Sequence, residues 1–373
     1  MELIIAPDDI SVAGLARRPE AAAAPGQVIM RVERAAFTAN VLSYAVTGHS
    51  LGYFRFFPAA KEGMVTVPSW GIARVLVSRH PDVREGERFY GIFPYAELAT
   101  LTVSRARPDG FVDLAPHRKD LAVIYNTYSR LDPDLDKLYV PGTEDLMVLF
   151  RPLFITSWLL KQFVQDHAGQ HAGPLRVVLV SASSKTAYAL AYLLQQRASS
   201  ASSISVVGLT SARNVDFVQS LALYDQVVVY DDIEAELAPN AAAGDKTMVI
   251  DMAGSAKVLE RMSKAVPDAE VVRVGATHWE EDSKGLPGTF FFAPQYAETT
   301  VKRLGYEGFS QAVGRDWEAF LKSVGDNGWC QVEHRTGPEA VLATYETSLQ
   351  ASGMDPSQGL VLSMAPIDTK SSL

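Results

Sequence analysis

The residues best suited to chemistry lie in a short turn, Ser181–Lys185, with the sequence SASSK. An uninterrupted apolar run, Val177–Val180, precedes this turn, and the apolar residues of Ala187–Leu194 follow at the spacing of one helical face. A strand, a tight turn and a helix begin a dinucleotide-binding βαβ unit, in which free N–H groups at the start of the helix bind phosphate. Serine and alanine allow close backbone approach less freely than the glycines of the usual G-x-G-x-x-G motif. Taken alone, the stretch predicts a phosphate loop or, equally, an α/β crossover without ligand.

A second group of candidates follows the next predicted strand, Ser205–Leu209. NAD-specific sites usually carry an acidic residue here for the ribose 2′-hydroxyl, whereas this chain has two hydroxyl residues with an arginine close behind. Hydroxyls and a guanidinium suit a 2′-phosphate, since arginine binds phosphate through paired donors. The pattern predicts NADP(H) rather than NAD(H), and the alternative is that the arginine and the lysine of the turn are solvated surface residues. The candidate cofactor-binding residues are Ser181, Ser183, Ser184, Lys185, Thr186, Thr210, Ser211 and Arg213.

Other chemistries find little support in the residue spacing. Ser184-Lys185-Thr186 resembles the end of a triphosphate-binding loop, but Leu179 stands inside a strand where that motif needs a glycine. Cys330 is the only cysteine, which rules out a four-cysteine zinc site. We expect its side chain to be buried and to pack as a small apolar residue. His167 and His171 stand in a glycine-flanked stretch and are expected to be solvated rather than metal ligands. We find no G-x-S-x-G hydrolase motif.

Length and composition limit the class of protein. The chain has 373 residues, enough for two domains, with 47% hydrophobic and 21% charged residues, as in soluble globular proteins. A formal net charge of −9 argues against general nucleic-acid binding, which needs a basic face. We see no secretory signal and no need for a membrane span, and a single cysteine favours a cytoplasmic location. The expected partner is a small-molecule substrate.

The elements that must position these residues fall into three segments. Residues 1–149 contain many short strands with Gly and Pro turns, which predicts a small antiparallel barrel. Residues 150–295 alternate apolar strands with helices, which predicts a parallel sheet that binds ligands at the carboxyl ends of its strands. Residues 296–373 look helical apart from Leu360–Met364, a strand-like run that we expect to return to the first domain.

In this order the segments resemble the medium-chain dehydrogenase/reductase superfamily. Pro68–Val75 (PSWGIARV) stands where the superfamily has a Gly-rich strand, and Arg84–Phe89 (REGERF) is similar to its GDRV turn. Leu221–Asp225 (LALYD) and Val271–Gly275 (VVRVG) resemble its LGAD segment and its strand that ends in glycine. The chain most resembles the zinc-free, quinone-oxidoreductase-like branch, in a group with a Ser-rich phosphate loop. The resemblance implies an α/β fold with a Rossmann doubly wound parallel sheet and a GroES-like antiparallel β-barrel, assembled as a homodimer.

The resemblance also implies where the reacting groups lie. It places the segment after Asn40 near the nicotinamide, so Asn40, Ser43 and Tyr44 are candidate catalytic residues, with Tyr44 as the proton donor. The alternative is that the Tyr44 ring packs in the core. Thr156, in a helix similar to the superfamily's LTA-YLL helix, and Gly275 join the cofactor contacts. Further candidates for the pocket wall are Trp70, Tyr128, His278 and Trp279.

We therefore expect an NADPH-dependent, zinc-independent oxidoreductase that transfers hydride to an activated alkene, enone, quinone or related carbonyl compound. The altered phosphate loop keeps two alternatives open. One is a non-redox enzyme on the same scaffold, such as a lyase or an accessory biosynthetic protein. The other is a non-catalytic NADPH-binding protein.

Overall fold

The computed structural model describes residues 1–19, 22–170, 173–196, 204–237, 246–252, 254–274, 288–350 and 354–366. The strands, in chain order, are β1 (Glu2–Ile5), β2 (Ala13–Ala16), β3 (Gln27–Phe37), β4 (Pro68–Ser78), β5 (Arg88–Pro94), β6 (Leu98–Arg107), β7 (Gly110–Asp113), β8 (Thr127–Arg130), β9 (Leu175–Val180), β10 (Ile204–Thr210), β11 (Gln226–Val229), β12 (Lys246–Asp251), β13 (Glu270–Arg273), β14 (Thr289–Phe290), β15 (Gln331–Thr336) and β16 (Gln358–Ser363). The helices are α1 (Ala39–Val46), α2 (Val123–Asn126), α3 (Glu144–Gly169), α4 (Lys185–Gln195), α5 (Val215–Ser220), α6 (Ile233–Leu237), α7 (Ala256–Ala265), α8 (Ala293–Asp326) and α9 (Pro338–Ser348).

The chain forms two compact units: unit 1 is Met1–Arg151 with Gln331–Leu373, and unit 2 is Pro152–Cys330. These limits differ from the expected divisions at residues 149/150 and 295/296. Residues 296–330 belong to unit 2 because α8 packs against that unit's helices, with the Trp317 ring 5.1 Å from Phe154. The helical region α8 is broken at Gly305, whose φ of 72° is outside the helical range.

Unit 1 is built on an antiparallel barrel. Strands β3, β4, β5, β8, β7 and β6 pair in that order, and β6 pairs back to β3 to close the ring. Alternate residues of β3, Val28, Met30 and Val32, point into the barrel core, as expected for a strand with period-two hydrophobicity. The end of β3 pairs antiparallel with β16, and β15 adds a parallel strand beyond it. Unit 1 is therefore discontinuous in sequence.

Unit 2 is built on a six-stranded parallel sheet with the order β11-β10-β9-β12-β13-β14. Counted along the chain, this is the 3-2-1-4-5-6 order of a doubly wound dinucleotide-binding sheet. The Val177–Val180 run of β9 is fully buried, and α4 buries Ala187–Leu194. The expected α/β architecture of a doubly wound parallel sheet plus an antiparallel barrel is confirmed.

Helix α3 is longer than the apolar segment that predicts it, since it extends from Glu144 to Gly169 with Pro152 inside. His167 lies in its last turn, where its Nε2 is 3.0 Å from a Glu270 carboxylate oxygen, so the expectation of a solvated loop histidine is wrong. His171 lies outside the described residues. Among the described residues, α3 is the one helix that is long and apolar enough to cross a membrane, judged by length and composition alone. Of its most apolar window, 67% is buried inside the protein, as in a core helix.

Candidate functional site

The turn after β9 prepares the N-terminus of α4. Ser181 has a φ of 63°, a left-handed conformation that glycine adopts more readily than serine. Ser184 is the N-cap residue, and its Oγ accepts a hydrogen bond from the Ala187 backbone N–H at 3.2 Å. The first N–H groups of an α-helix point out of its N-terminus, and in α4 these include the N–H groups of Lys185 and Thr186. Together with the positive end of the helix dipole, they can hold a pyrophosphate.

Side chains from the neighbouring strand ends bond to this turn. Asn214 Nδ2 donates to Ser183 Oγ at 3.0 Å, and the Tyr224 hydroxyl donates to the Ala182 carbonyl at 2.7 Å. The Tyr224 ring lies over Gly208 of β10, where a Cβ would approach the ring to 2.8 Å. Glycine at this position lets the tyrosine reach the turn.

Tyr230, directly after β11, holds the first residue of the turn. Its hydroxyl is hydrogen-bonded to the backbone N–H and the hydroxyl of Ser181. Burial raises the pKa of Tyr230, the Ser181 bonds oppose that shift, and the nearby Asp251 adds to it. Asn214, Tyr224 and Tyr230 were not among the site residues predicted from the sequence. A tyrosine at a strand end carries no local signal of its partner.

The candidates for 2′-phosphate recognition stand at the end of β10, beside the turn. Thr210 is 1% exposed, Ser211 is half-buried and Arg213 is exposed. The Ala182 N–H donates to the Leu209 carbonyl at 3.0 Å, which keeps the two strand ends together. Gly275, like His278 and Trp279, lies outside the described residues.

The other unit 2 candidates have partners in neighbouring elements. Lys185 is the first residue of α4. Burial raises the pKa of the Cys330 thiol, and the positive charge of Lys185 opposes that rise. The Thr186 carbonyl accepts a hydrogen bond from the buried Ser157 Oγ at 2.8 Å. The Thr156 hydroxyl instead donates within α3, to the Pro152 carbonyl at 3.0 Å. Ser157 thus links α3 to α4.

The candidate catalytic residues of unit 1 lie on α1. The Tyr44 oxygen accepts a hydrogen bond from Trp70 Nε1 at 3.1 Å and is hydrogen-bonded to the Asn40 side chain. Burial raises the pKa of Tyr44 well above its usual value, and these two donors oppose the shift. Ser43 points elsewhere, since its Oγ donates to the Ala39 carbonyl of the same helix at 3.3 Å. The structure thus joins Asn40 and Tyr44 but not Ser43.

Around Tyr44 the rings of unit 1 form an aromatic cluster that the sequence analysis found only in part. The Tyr44 and Tyr53 ring centroids are 4.3 Å apart, and those of Trp70 and Tyr90 are 5.5 Å apart. The Tyr53 hydroxyl donates to the Tyr125 hydroxyl at 3.2 Å. We call these residues the aromatic cluster: Tyr44, Tyr53, Trp70, Tyr90 and Tyr125.

Tyr128, expected in the pocket wall, is instead a core residue. Its ring is fully buried, and its hydroxyl donates to the Ile92 carbonyl at 2.6 Å and accepts from Arg118 Nη1 at 2.9 Å. The hydroxyl is therefore committed to the barrel. In the part of the chain that the structure describes, no three His, Cys, Asp or Glu side chains group in a way that could hold a metal ion.

The closed antiparallel barrel of unit 1 and the 3-2-1-4-5-6 sheet of unit 2 define a class of fold, a β-barrel combined with a doubly wound dinucleotide-binding sheet, that solved structures share. CurA from Vibrio vulnificus, in a crystal structure with NADPH, is similar at a TM-score of 0.57 and 13% identity over 97% of this chain and 98% of that one. The quinone oxidoreductase from Coxiella burnetii is similar at a TM-score of 0.51 and 16% identity over the same shares. The fold implied by the resemblance is confirmed.

The sequence itself gives the family. The chain belongs to the family described as "Protein of unknown function (DUF2855)", whose model matches residues 35–353. No curated protein matches the sequence.

Proposed function

We propose that this protein is an NADPH-dependent, zinc-independent reductase that transfers hydride to an activated alkene, enone, quinone or related carbonyl compound. One observation carries the proposal: the first-turn N–H groups of α4, the serine-rich turn and the basic Lys185 and Arg213 gather at the carboxyl ends of β9 and β10. Nucleotides bind at this edge in sheets of this order. The similar CurA structure contains NADPH, which agrees with this choice of cofactor.

The residues present fit such a cofactor. The N–H groups of Lys185 and Thr186 would hold the pyrophosphate, and Ser211 with Arg213 the 2′-phosphate. Thr210, being buried, would support this group from beneath. When bound, NADPH supplies the hydride. The homodimer and the cytoplasmic location stay predictions.

The substrate side of the proposal rests on α1. In this proposal Tyr44, whose oxygen interacts with Trp70 and Asn40, directs its O–H at the oxygen of a carbonyl substrate. A hydrogen bond to that oxygen stabilises the negative charge that develops there during hydride transfer. Ser43 and Thr156 remain proposed lining residues, although their hydroxyls are bonded within their own helices.

A specific observation favours a second candidate, a non-redox enzyme on the same scaffold. Polar groups of the turn that a cofactor phosphate would use are already bonded to protein side chains: Ser181 to Tyr230 and Ser183 to Asn214. If those bonds persist in solution at saturating cofactor, the turn is a structural feature and the site serves another ligand.

Titration of the purified protein with NADPH and NADH, followed by addition of enones and quinones, separates the candidates. The reductase binds NADPH saturably and oxidises it when an acceptor is added. Binding with no turnover on any acceptor identifies a non-catalytic NADPH-binding protein. Absence of binding, with activity on a substrate that needs no reduction, identifies the non-redox enzyme and refutes the proposal.

A further inference from the structure

The aromatic cluster contains hydroxyl protons for which the described part of the chain supplies no acceptor. The Tyr44 oxygen accepts from Trp70 and is bonded to Asn40, so its own hydrogen is uncommitted. The Tyr125 oxygen accepts from Tyr53, which leaves its hydrogen uncommitted as well. The Tyr90 hydroxyl is buried, on a side chain 4% exposed, and has no partner among the described residues. Because buried hydroxyls are almost always hydrogen-bonded, a ligand oxygen or water belongs in this cluster.

Tyr44 and Tyr125 differ in their access to solvent. Tyr44 is 7% exposed, whereas Tyr125 is half-buried on α2 next to Val123 and Ile124, which are 54% and 39% exposed. A general acid must regain its proton after every turnover, and water is the source of that proton. A phenol at the accessible side of the cluster meets this need better than one enclosed within it.

The hydrogen bonds around the two phenols also differ in what they do. The Tyr53 hydroxyl donates to Tyr125, so it stabilises a phenolate that forms when Tyr125 releases its proton. The Tyr53 ring is fixed by its stacking on Tyr44, so this donor is in place before the reaction. Tyr44 is fixed by two N–H donors in an enclosed site, which suits a lasting hydrogen bond to a substrate oxygen.

We propose that Tyr125, and not Tyr44, is the catalytic residue that donates the proton in enone reduction, with Tyr53 as its positioning residue. This inference rests on the proposed function. Addition of a hydride from NADPH to the β-carbon of an enone oxidises the cofactor to NADP⁺ and sends the electron pair of the double bond to the carbonyl oxygen. The Tyr125 O–H bond then breaks as its proton forms a bond to the α-carbon of the enolate. The Tyr125 phenolate takes a proton from water.

The test compares two classes of acceptor in one enzyme. An enolate must be protonated at carbon, which is slow without a positioned acid, whereas a hydroquinone anion is protonated on oxygen by water directly. In Tyr125→Phe we expect kcat for an enone to fall by about 100-fold or more, the usual range for loss of a general acid. We expect kcat for a quinone and the Kd for NADPH to stay unchanged. Tyr306→Phe, at an exposed tyrosine of unit 2, is the matched control.

The pH dependence of enone kcat tests whether Tyr125 acts in its protonated form. The acid must be protonated to act, so enone kcat should fall as pH rises through the Tyr125 pKa, and this alkaline limb should vanish in Tyr125→Phe. In Tyr53→Phe the limb should move to higher pH, because the bond from Tyr53 lowers the Tyr125 pKa. A merely structural role for Tyr125 would change neither limb.

A measurement on the cofactor-free protein gives an independent readout. With ¹³C at Cζ of tyrosine, the resonance missing from Tyr125→Phe should begin to shift at lower pH than the resonance missing from Tyr44→Phe. The reverse order, or wild-type enone kcat in Tyr125→Phe, overturns the assignment while the reductase proposal stands. A wild-type protein that oxidises NADPH with neither acceptor refutes both.

Discussion

The two groups of candidate residues differ in how much of their hydrogen-bonding capacity the protein itself uses. In unit 2 the turn after β9 is bonded from three sides, by Asn214, Tyr224 and Tyr230. In unit 1 the hydroxyl hydrogens of Tyr44 and Tyr125 lack acceptors among the residues that the structure describes. The serines of the turn are therefore largely bonded within the protein, whereas the two phenols keep donors that a ligand can use.

This difference suits the turn to binding a phosphate and the phenols to donating a hydrogen bond or a proton to a substrate. A neutral hydrogen bond contributes about 0.5–1.5 kcal/mol net, whereas one to a charged group contributes about 1.5–3 kcal/mol. A phosphate can therefore replace neutral partners of the turn with a gain in binding. Uncommitted phenol protons, by contrast, are available to a substrate without breaking any bond of the protein.

In unit 2 we expect the largest loss of NADPH affinity from Lys185→Pro. Proline is accepted at the first position of a helix, and Ser184 before it already has a ψ of 145°, as proline requires. The change removes an N–H that we propose faces the phosphate, so NADPH affinity should fall at least about tenfold below that of Lys185→Ala, which keeps the N–H. Isothermal titration measures both. Equal affinities for the two variants would mean that this N–H does not bind phosphate.

Arg213→Ala should weaken NADPH binding by about tenfold while leaving NADH binding unchanged, because only NADPH carries the 2′-phosphate. Arg315→Ala, at an exposed arginine of α8 in the same unit, is the control and should change neither affinity. Fluorescence titration with both cofactors provides the comparison. Equal losses for NADPH and NADH would remove the argument for 2′-phosphate recognition.

Tyr230→Phe tests whether the turn is held by its own side chains. Loss of the hydroxyl leaves the Ser181 N–H without this acceptor, so the free energy of unfolding should fall by about 1–2 kcal/mol. Urea denaturation of the variant and of the wild type, both without cofactor, measures this difference. If Tyr230→Phe unfolds at the wild-type urea concentration, the turn does not depend on this bond.

The smallest effect is expected for Trp70→Phe in unit 1, which removes an N–H donor from the Tyr44 oxygen. Enone kcat/KM should fall by about threefold, the equivalent of one neutral hydrogen bond. In a Tyr44→Phe background the same change should have no effect, since its partner is gone. Additive losses in the double variant would show that Trp70 acts independently of Tyr44.

The sequence predicts those features of the fold that short segments encode. The buried run before Ser181 and the helical stripe after Lys185 specify β9, the turn and α4 locally, and all three occur where expected. Helix α3 exceeds its predicted length because Pro152 and polar residues interrupt the apolar pattern, although tertiary packing keeps the helix continuous.

The contacts within the candidate site could not be predicted from local sequence patterns. Tyr53 and Tyr125 are 72 residues apart in the chain, and Trp70 lies 26 residues from Tyr44. No periodicity relates such pairs, because the tertiary fold of unit 1 brings together elements that are far apart in the chain. Asn40 and Tyr44 were predicted from the resemblance of their segment to the superfamily, whereas Tyr125 and Tyr230 could be recognised only from the fold.

The pairing of β16 with the end of β3 has a consequence for how the molecule is made. Unit 2 is contiguous in sequence, but the ribosome must finish all of it before β16 exists to cover Ala35–Phe37. Until then the growing barrel exposes a strand edge that can pair with other chains. Translation that stops short of β16 should therefore yield an aggregation-prone barrel in a chain whose unit 2 is complete.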